Sequence, residues 1–226
     1  MSHAVGRPPA RPSGARGDRP HAVVVDRPSW DDRYRQFPDL FGDRPNDFLV
    51  ECEILLPRAG RVLVVGDGQG RNGVWLASRG FRVTTVDLSA VGCEQARARA
   101  LRRGVEMDVH CADLLDWCSG PQAQGPWDAV VWVFVHLTLA ERCAIGAALG
   151  PRLAPGGVLV QETYSTAQPL MGTGGPADPA LLSHRDDAAA QWPDLVVDSR
   201  AVERRIFEGR AHQGPSSTIQ VLGRAR

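Results

Sequence analysis

An apolar run, Val62 to Val65, enters the turn Gly66-Asp67-Gly68-Gln69-Gly70, and a second run, Val83-Thr84-Thr85-Val86, ends at Asp87. Glycines at alternate positions let a backbone turn approach a ligand closely. A carboxylate about 20 residues beyond such a turn is placed to take both hydroxyls of a ribose. Together they read as a nucleoside site at the carboxyl edge of an α/β sheet. Asp67 narrows the choice of ligand. A dinucleotide pyrophosphate needs bare N–H donors at a helix start, and a carboxylate there repels it while suiting an ammonium group. No Lys-Ser/Thr pair follows the turn, which argues against a P-loop.

Other side chains fall near the same edge. Leu88 follows Asp87 and can lie against a base; Asp113 and Leu114 follow the third strand and can meet its edge. Asp113 reads equally as a helix cap. His136 follows the fourth strand and is the candidate general base, since imidazole titrates near neutrality; a satisfied structural histidine is the rival reading. Glu162 and Tyr164 end the fifth strand as candidate substrate contacts, with Tyr164 also a candidate catalytic group. Arg33 and Tyr34 can clamp a carboxylate, of cofactor or substrate, through paired donors. His212, with Arg210 and Gln213 in what reads as a late loop, is a candidate substrate contact, with plain solvent exposure as the rival reading, and His184 belongs to the same class. No His/Cys/Asp spacing signals zinc, so no metal is expected. No Gly-x-Ser-x-Gly elbow appears.

The elements that must carry these residues alternate. Strands are predicted at 61–66, 82–86, 105–110, 128–134 and 157–162, and helices at 71–79, 89–103 and 138–149. Leu153-Ala154-Pro155-Gly156-Gly157 reads as a turn launching the fifth strand. Such spacing makes βαβ units with right-handed crossovers. Asn46 to Leu55 reads as a short helix stopping before Pro57, and residues 29–56 as a lid over the sheet edge. Thr163 to Pro179 reads as a loop above the binding face. Leu195 to Phe207 and Ser217 to Leu222 read as two strands, joined by Glu208 to Ser216, that close the sheet as an antiparallel pair.

Composition sets the limits. The chain has 226 residues, with 26 basic groups, all arginine, against 26 acidic ones. Zero net charge gives no support for nucleic acid or an anionic membrane as partner. Five scattered cysteines argue for free thiols in a reducing cytoplasm. No apolar run reaches the ~20 residues of a membrane span. Residues 1–28 hold five prolines and five arginines and read as a disordered leader; residues 29–226 read as one domain, monomeric or homodimeric.

Taken in order, Trp30-Asp31-Asp32-Arg33-Tyr34, Phe41 to Leu49, Gly66 to Asn72, Val83 to Ser89, Asp113 to Trp117, Phe134 to Leu137 and Leu153 to Gly157 resemble the class I S-adenosylmethionine-dependent methyltransferases. The likeness is nearest to their small tellurite-resistance/thiopurine-methyltransferase-like branch and covers residues 30 to about 224. It implies a Rossmann-like seven-stranded sheet, mostly parallel with an antiparallel C-terminal strand and helices on both faces. It implies S-adenosylmethionine as cofactor, with Gly66, Gly68 and Gly70 beside the methionine moiety. Asp67 would act through its neighbourhood on the amino end, and Arg71 and Asn72 would start the helix after the turn, with Asn72 among the cofactor contacts. Asp87 would hold ribose, and Leu88 and Leu114 would border adenine. Phe134 and His136 would line the transferable methyl, and Tyr34 and Phe41 belong to the front segment that faces substrate. The branch often carries glutamate where Asp67 and Gln69 stand here.

The expected function is methyl transfer to sulfur, oxygen or nitrogen of a small molecule. The alternatives are an NAD(P)-dependent oxidoreductase, which Asp67 argues against, and a non-catalytic adenosyl-ligand-binding protein.

Overall fold

A computed structural model describes residues 29–226; the leader predicted at 1–28 lies outside them. The elements are α1 (Trp30–Gln36), α2 (Asp47–Cys52), β1 (Arg61–Val65), α3 (Arg71–Ser78), β2 (Arg82–Asp87), α4 (Ala90–Arg103), β3 (Asp108–Cys111), α5 (Leu114–Ser119), β4 (Trp127–Val133), α6 (Leu139–Leu149), β5 (Leu153–Tyr164), α7 (Asp187–Gln191), β6 (Leu195–Glu208) and β7 (His212–Ala225). The sheet order is β3-β2-β1-β4-β5-β7-β6. Strands β1 to β5 pair in parallel, and β7 runs antiparallel to both β5 and β6. This is the mixed seven-stranded sheet expected above.

Period-two alternation explains the layers. Val62 and Val64 join Ala129, Val131 and Val133 in one core, with Leu76, Phe48 and Leu49 from the covering helices. Leu63 and Val65 join Val130 and Trp132 in the other, under Trp117, Ile145, Leu149 and Trp192. Both faces of the central strands are buried, so these strands read as unbroken apolar runs. Each fully buried large side chain contributes about 1.5–3 kcal/mol.

Helix starts follow side-chain chemistry. Asn46 accepts from Leu49 N to cap α2, Ser89 from Gly92 N to cap α4, and Thr138 with Glu141 forms a capping box on α6.

Several boundaries differ from expectation. Strand β3 begins at Asp108 instead of 105. The Leu153–Gly157 turn survives as a bulge inside β5: Leu153 pairs with Trp127, and pairing resumes at Val158 with Ala129. Thr163 and Tyr164 belong to β5, so the loop starts later. The largest change is at the end of the chain. Strands β6 and β7 each have 14 residues and stay paired to Glu208 opposite His212. The broad loop predicted at Glu208–Ser216 is a tight turn, which places His212 in a strand and buries it.

Candidate active site

The carboxyl ends of β1, β2 and β4 and the front segment enclose a cavity of about 190 Å³. Its walls include Gly66, Asp67 and Asn72 from the first turn, Asp87 and Leu88 from β2, Asp113 and Leu114 beyond β3, and Phe134 and His136 beyond β4. The front segment adds Trp30, Tyr34 and Phe41, and the final hairpin adds His212. Residues far apart in the chain thus meet because parallel strands deliver all their following loops to one edge.

Asp87 is the best-placed ligand group. Its Oδ2 accepts from Gly68 N at 2.8 Å and its Oδ1 from Ser89 N at 2.8 Å. Each oxygen keeps acceptor capacity, which fits the two hydroxyls of a ribose. Burial raises its pKa, and the two backbone donors oppose that rise. Leu88 beside it is 64% exposed, an apolar surface offered to a base. Asp113 does cap a helix: Oδ1 takes Leu115 N and Asp116 N at 2.9 and 3.1 Å. Its other oxygen has no protein partner among the described residues, so capping and a ligand contact are compatible. These groups fit the adenosine half of S-adenosylmethionine.

The glycine turn works differently from expectation. Gly66 lines the cavity, whereas Gly68 and Gly70 do not. Gly68 (φ +54°) lies under the Tyr34 ring, and a Cβ there would collide with the tyrosine hydroxyl. Gly70 (φ +80°) faces α4, where a Cβ would stand 2.8 Å from the Ala96 Cβ. Both glycines shape the turn from behind. Asp67 is also turned inward. Its two oxygens accept Gly73 N at 3.2 and 3.1 Å, at the start of α3. Burial pushes its pKa up to about 7, against the Gly73 bond. It is therefore a helix-start carboxylate at the cavity wall, and the fixed charge assumed for it above is not assured near neutrality. Asn72 lines the cavity while its Oδ1 accepts Asn46 N at 2.9 Å, tying the front segment down.

A second cavity, of about 520 Å³, adjoins the first through four shared wall residues: Trp30, Phe41, His136 and His212. Arg33 and Tyr164 line only this outer space, so Arg33 does not reach the cofactor cavity predicted for it. Its guanidinium stacks on Trp30, 4.5 Å from the ring centroid. Rings form a box around the junction. His136 stacks between Trp30 and Tyr164 at 6.0 and 6.2 Å. Phe134 packs on Tyr164 at 4.7 Å and on His212 at 4.5 Å. Phe134 holds φ +53°, a conformation costing about 1–3 kcal/mol in a non-glycine residue; it swings the chain sharply off β4 so that the ring enters the box.

The imidazoles are not equivalent. Burial lowers the His136 pKa to about 4, with His212 and Arg33 adding to the fall. His136 is thus neutral and weakly basic, contrary to the near-neutral titration expected of it. Burial also lowers His212, but Glu208 opposes that fall.

Glu162 corrects another expectation. It is 0% exposed and touches neither cavity. Oε1 accepts from Arg204 Nε, Thr218 Oγ1 and Gln220 Nε2; Oε2 accepts from Asn46 Nδ2 and Arg204 Nη2, all at 2.6–3.1 Å. With its acceptor sites occupied it is the hub of a buried network. Tyr164, two residues on along the same face, is one pleat nearer the edge and reaches the outer cavity.

Sequence reading gives Arg71 only a helix start and Glu208 only a loop end, and misses their place at the site. Arg71 lines the first cavity, and its Nη2 stands 2.6 Å from Glu208 Oε2. A signal existed: arginine in the first turn opposes the helix dipole, so it needs a carboxylate partner. Nothing local identifies that partner, 137 residues away.

Comparison with known proteins agrees with this geometry. A model described as "Methyltransferase domain" matches residues 62–157, from β1 into β5. A tRNA 5-carboxymethoxyuridine methyltransferase from Escherichia coli K12 is 32% identical over 118 residues, 51% of this chain and 44% of that protein. A ubiquinone biosynthesis O-methyltransferase from Xanthomonas axonopodis pv. citri is 32% identical over 111 residues, 49% and 46% of the two chains. The match thus spans less than half the length of these curated relatives. Among solved structures, one described as "Conversion of a Disulfide Bond into a Thioacetal Group during Echinomycin Biosynthesis" superposes with TM-score 0.68 at 21% identity, over 87% of this chain and 90% of that one. TehB from Haemophilus influenzae gives TM-score 0.65 at 16% identity, over 87% and 67%. The sheet order, the strand-edge cavity and these likenesses agree: the chain has the class I S-adenosylmethionine-dependent methyltransferase fold, whose cofactor is S-adenosylmethionine.

Proposed function

We propose that this chain transfers a methyl group from S-adenosylmethionine to a sulfur, oxygen or nitrogen atom of a small molecule. The observation that carries the reading is the shared wall between the two cavities. The inner cavity offers Asp87, Leu88 and Asp113 to an adenosine, and the outer one opens beyond an aromatic junction.

The bound cofactor supplies an activated methyl and its leaving group. The protein's task is then alignment and exclusion of water. Asp87 and its two backbone donors fix the ribose end. The rings of Trp30, Phe41, Phe134 and Tyr164 make an apolar junction in which an acceptor is desolvated. His136, neutral and stacked between Trp30 and Tyr164, holds the acceptor in plane. A planar or thiol-bearing acceptor suits these walls, in keeping with the tellurite-resistance/thiopurine-like branch. One curated relative is named for a tRNA substrate, but 26 basic groups are balanced by 26 acidic ones here, which favours a small acceptor over a polyanion. Residues 29–226 act as one catalytic domain in this reading, with the front segment as its lid.

Labelled-methyl transfer tests it. Purified protein with labelled S-adenosylmethionine is offered thiols, phenols, amines and tRNA, and products are read by mass. Methylated small molecules are expected; label only on tRNA, or binding of NADH in place of S-adenosylmethionine, overturns the reading.

A further inference from the structure

We propose that His212 is the catalytic base that takes the acceptor's proton, with Glu208 as its positioning residue; this rests on the methyl-transfer reading above.

Two buried side-chain atoms, His212 Nδ1 and Tyr164 Oη, have no hydrogen-bond partner among the described residues, and their rings meet edge-on at 5.6 Å. A buried polar atom left unpaired is costly, so two such atoms on residues that line the outer cavity mark a site kept for chemistry or ligand. The tight β6–β7 turn places Glu208 directly across from His212, with Nδ1 3.8 Å from Oε2. Phe41 and Phe134 clamp the imidazole at 4.6 and 4.5 Å and fix its plane. Nε2 has no protein partner among the described residues, and His212 lines both cavities. A carboxylate facing Nδ1 selects the tautomer with the proton on Nδ1, leaving the Nε2 lone pair for the acceptor. Among the described residues no carboxylate pairs with His136.

The charged and titratable groups around the ring come from four other elements: Glu162 and Tyr164 on β5, Arg71 on α3, His136 beyond β4 and Arg33 on α1. Arg71 stands 2.6 Å from Glu208 Oε2. Burial raises the Glu208 carboxyl, but His212 and Arg71 outweigh it and hold it at about 2. The carboxylate therefore stays ionised and stabilises the imidazolium that forms. In the step itself, the acceptor's electron pair makes the new bond to the methyl carbon. The methyl–sulfur bond breaks with its pair on sulfur. The acceptor's proton passes to Nε2 and leaves to solvent through the outer cavity.

The test is nitrogen-15 spectroscopy of the full chain labelled at its six histidines, with His212 assigned from His212→Gln. The expected result is a neutral ring protonated at Nδ1, whose titration midpoint falls by a pH unit or more in Glu208→Gln while His184 does not move. A ring protonated at Nε2, or an unmoved midpoint, overturns the assignment. If Glu208→Gln does not fold, the tautomer in the unaltered protein decides alone. With any acceptor found above, His212→Gln should lower kcat at least tenfold and abolish the acid limb of the rate profile. Failure to do both also overturns it. S-adenosylhomocysteine affinity, measured by calorimetry, reports separately on the methyl-transfer reading: no binding refutes that reading, whatever the tautomer.

Discussion

Asp87 Oδ2 accepts the Gly68 N–H at 2.8 Å, so the end of β2 and the turn after β1 form one hydrogen-bonded unit. The carboxylate proposed to take the ribose hydroxyls thus also holds the glycine turn. Asp87→Ala should weaken S-adenosylmethionine binding by about 1–3 kcal/mol through the lost charged bonds, and should also lower Tm. Asp87→Asn keeps one acceptor oxygen and should fall between the two. Calorimetric affinity unchanged in Asp87→Ala would remove the ribose role.

Asp67 predicts a pH effect on stability. Its folded pKa, about 7, lies above the unfolded 3.8. The folded chain binds the extra proton, so this contribution is full below about pH 4 and is lost as pH rises through 7. Across that window each pH step of one costs about 1.4 kcal/mol. Asp67→Asn keeps an acceptor for Gly73 and cannot ionise. Its Tm should therefore fall less than that of the unaltered chain between pH 5 and 8. Parallel melting curves across that range would contradict the assignment.

Glu162 is a structural hub. Removing one partner of a buried ion pair typically costs about 3–5 kcal/mol. Glu162→Ala leaves Arg204 and Asn46 short of acceptors, so it should lower Tm by many degrees or prevent folding. A variant within two degrees of the parent, with impaired acceptor KM alone, would restore Glu162 as a substrate contact.

Arg33 reaches only the outer cavity and, among the described residues, pairs with no carboxylate. Arg33→Ala should leave S-adenosylhomocysteine affinity within about twofold, since one surface-facing charge contributes little at a distance. It should raise KM for acidic acceptors more than for neutral ones. A tenfold loss of cofactor affinity would return Arg33 to the cofactor.

What the sequence determined by itself is local. The run into Gly66, the end of β2 at Asp87 and the caps at Ser89 and Thr138 depend on neighbours within a turn or a strand. The separation of turn and acid follows from the length of one βαβ unit. Tertiary structure decided the rest. In the glycine turn, Ala96 and Tyr34 from other elements show what Gly70 and Gly68 are for. Whether Glu162 or Tyr164 reaches the cavity depends on depth along one strand face, which pairing with β4 and β7 sets. His212 became a buried ring because β6 and β7 stay in register to their last residues, and strand register decides which face each side chain takes. Arg71 and Glu208 found each other across 137 residues. Such pairs carry no local signal, because their energy exists only once the sheet has brought them together.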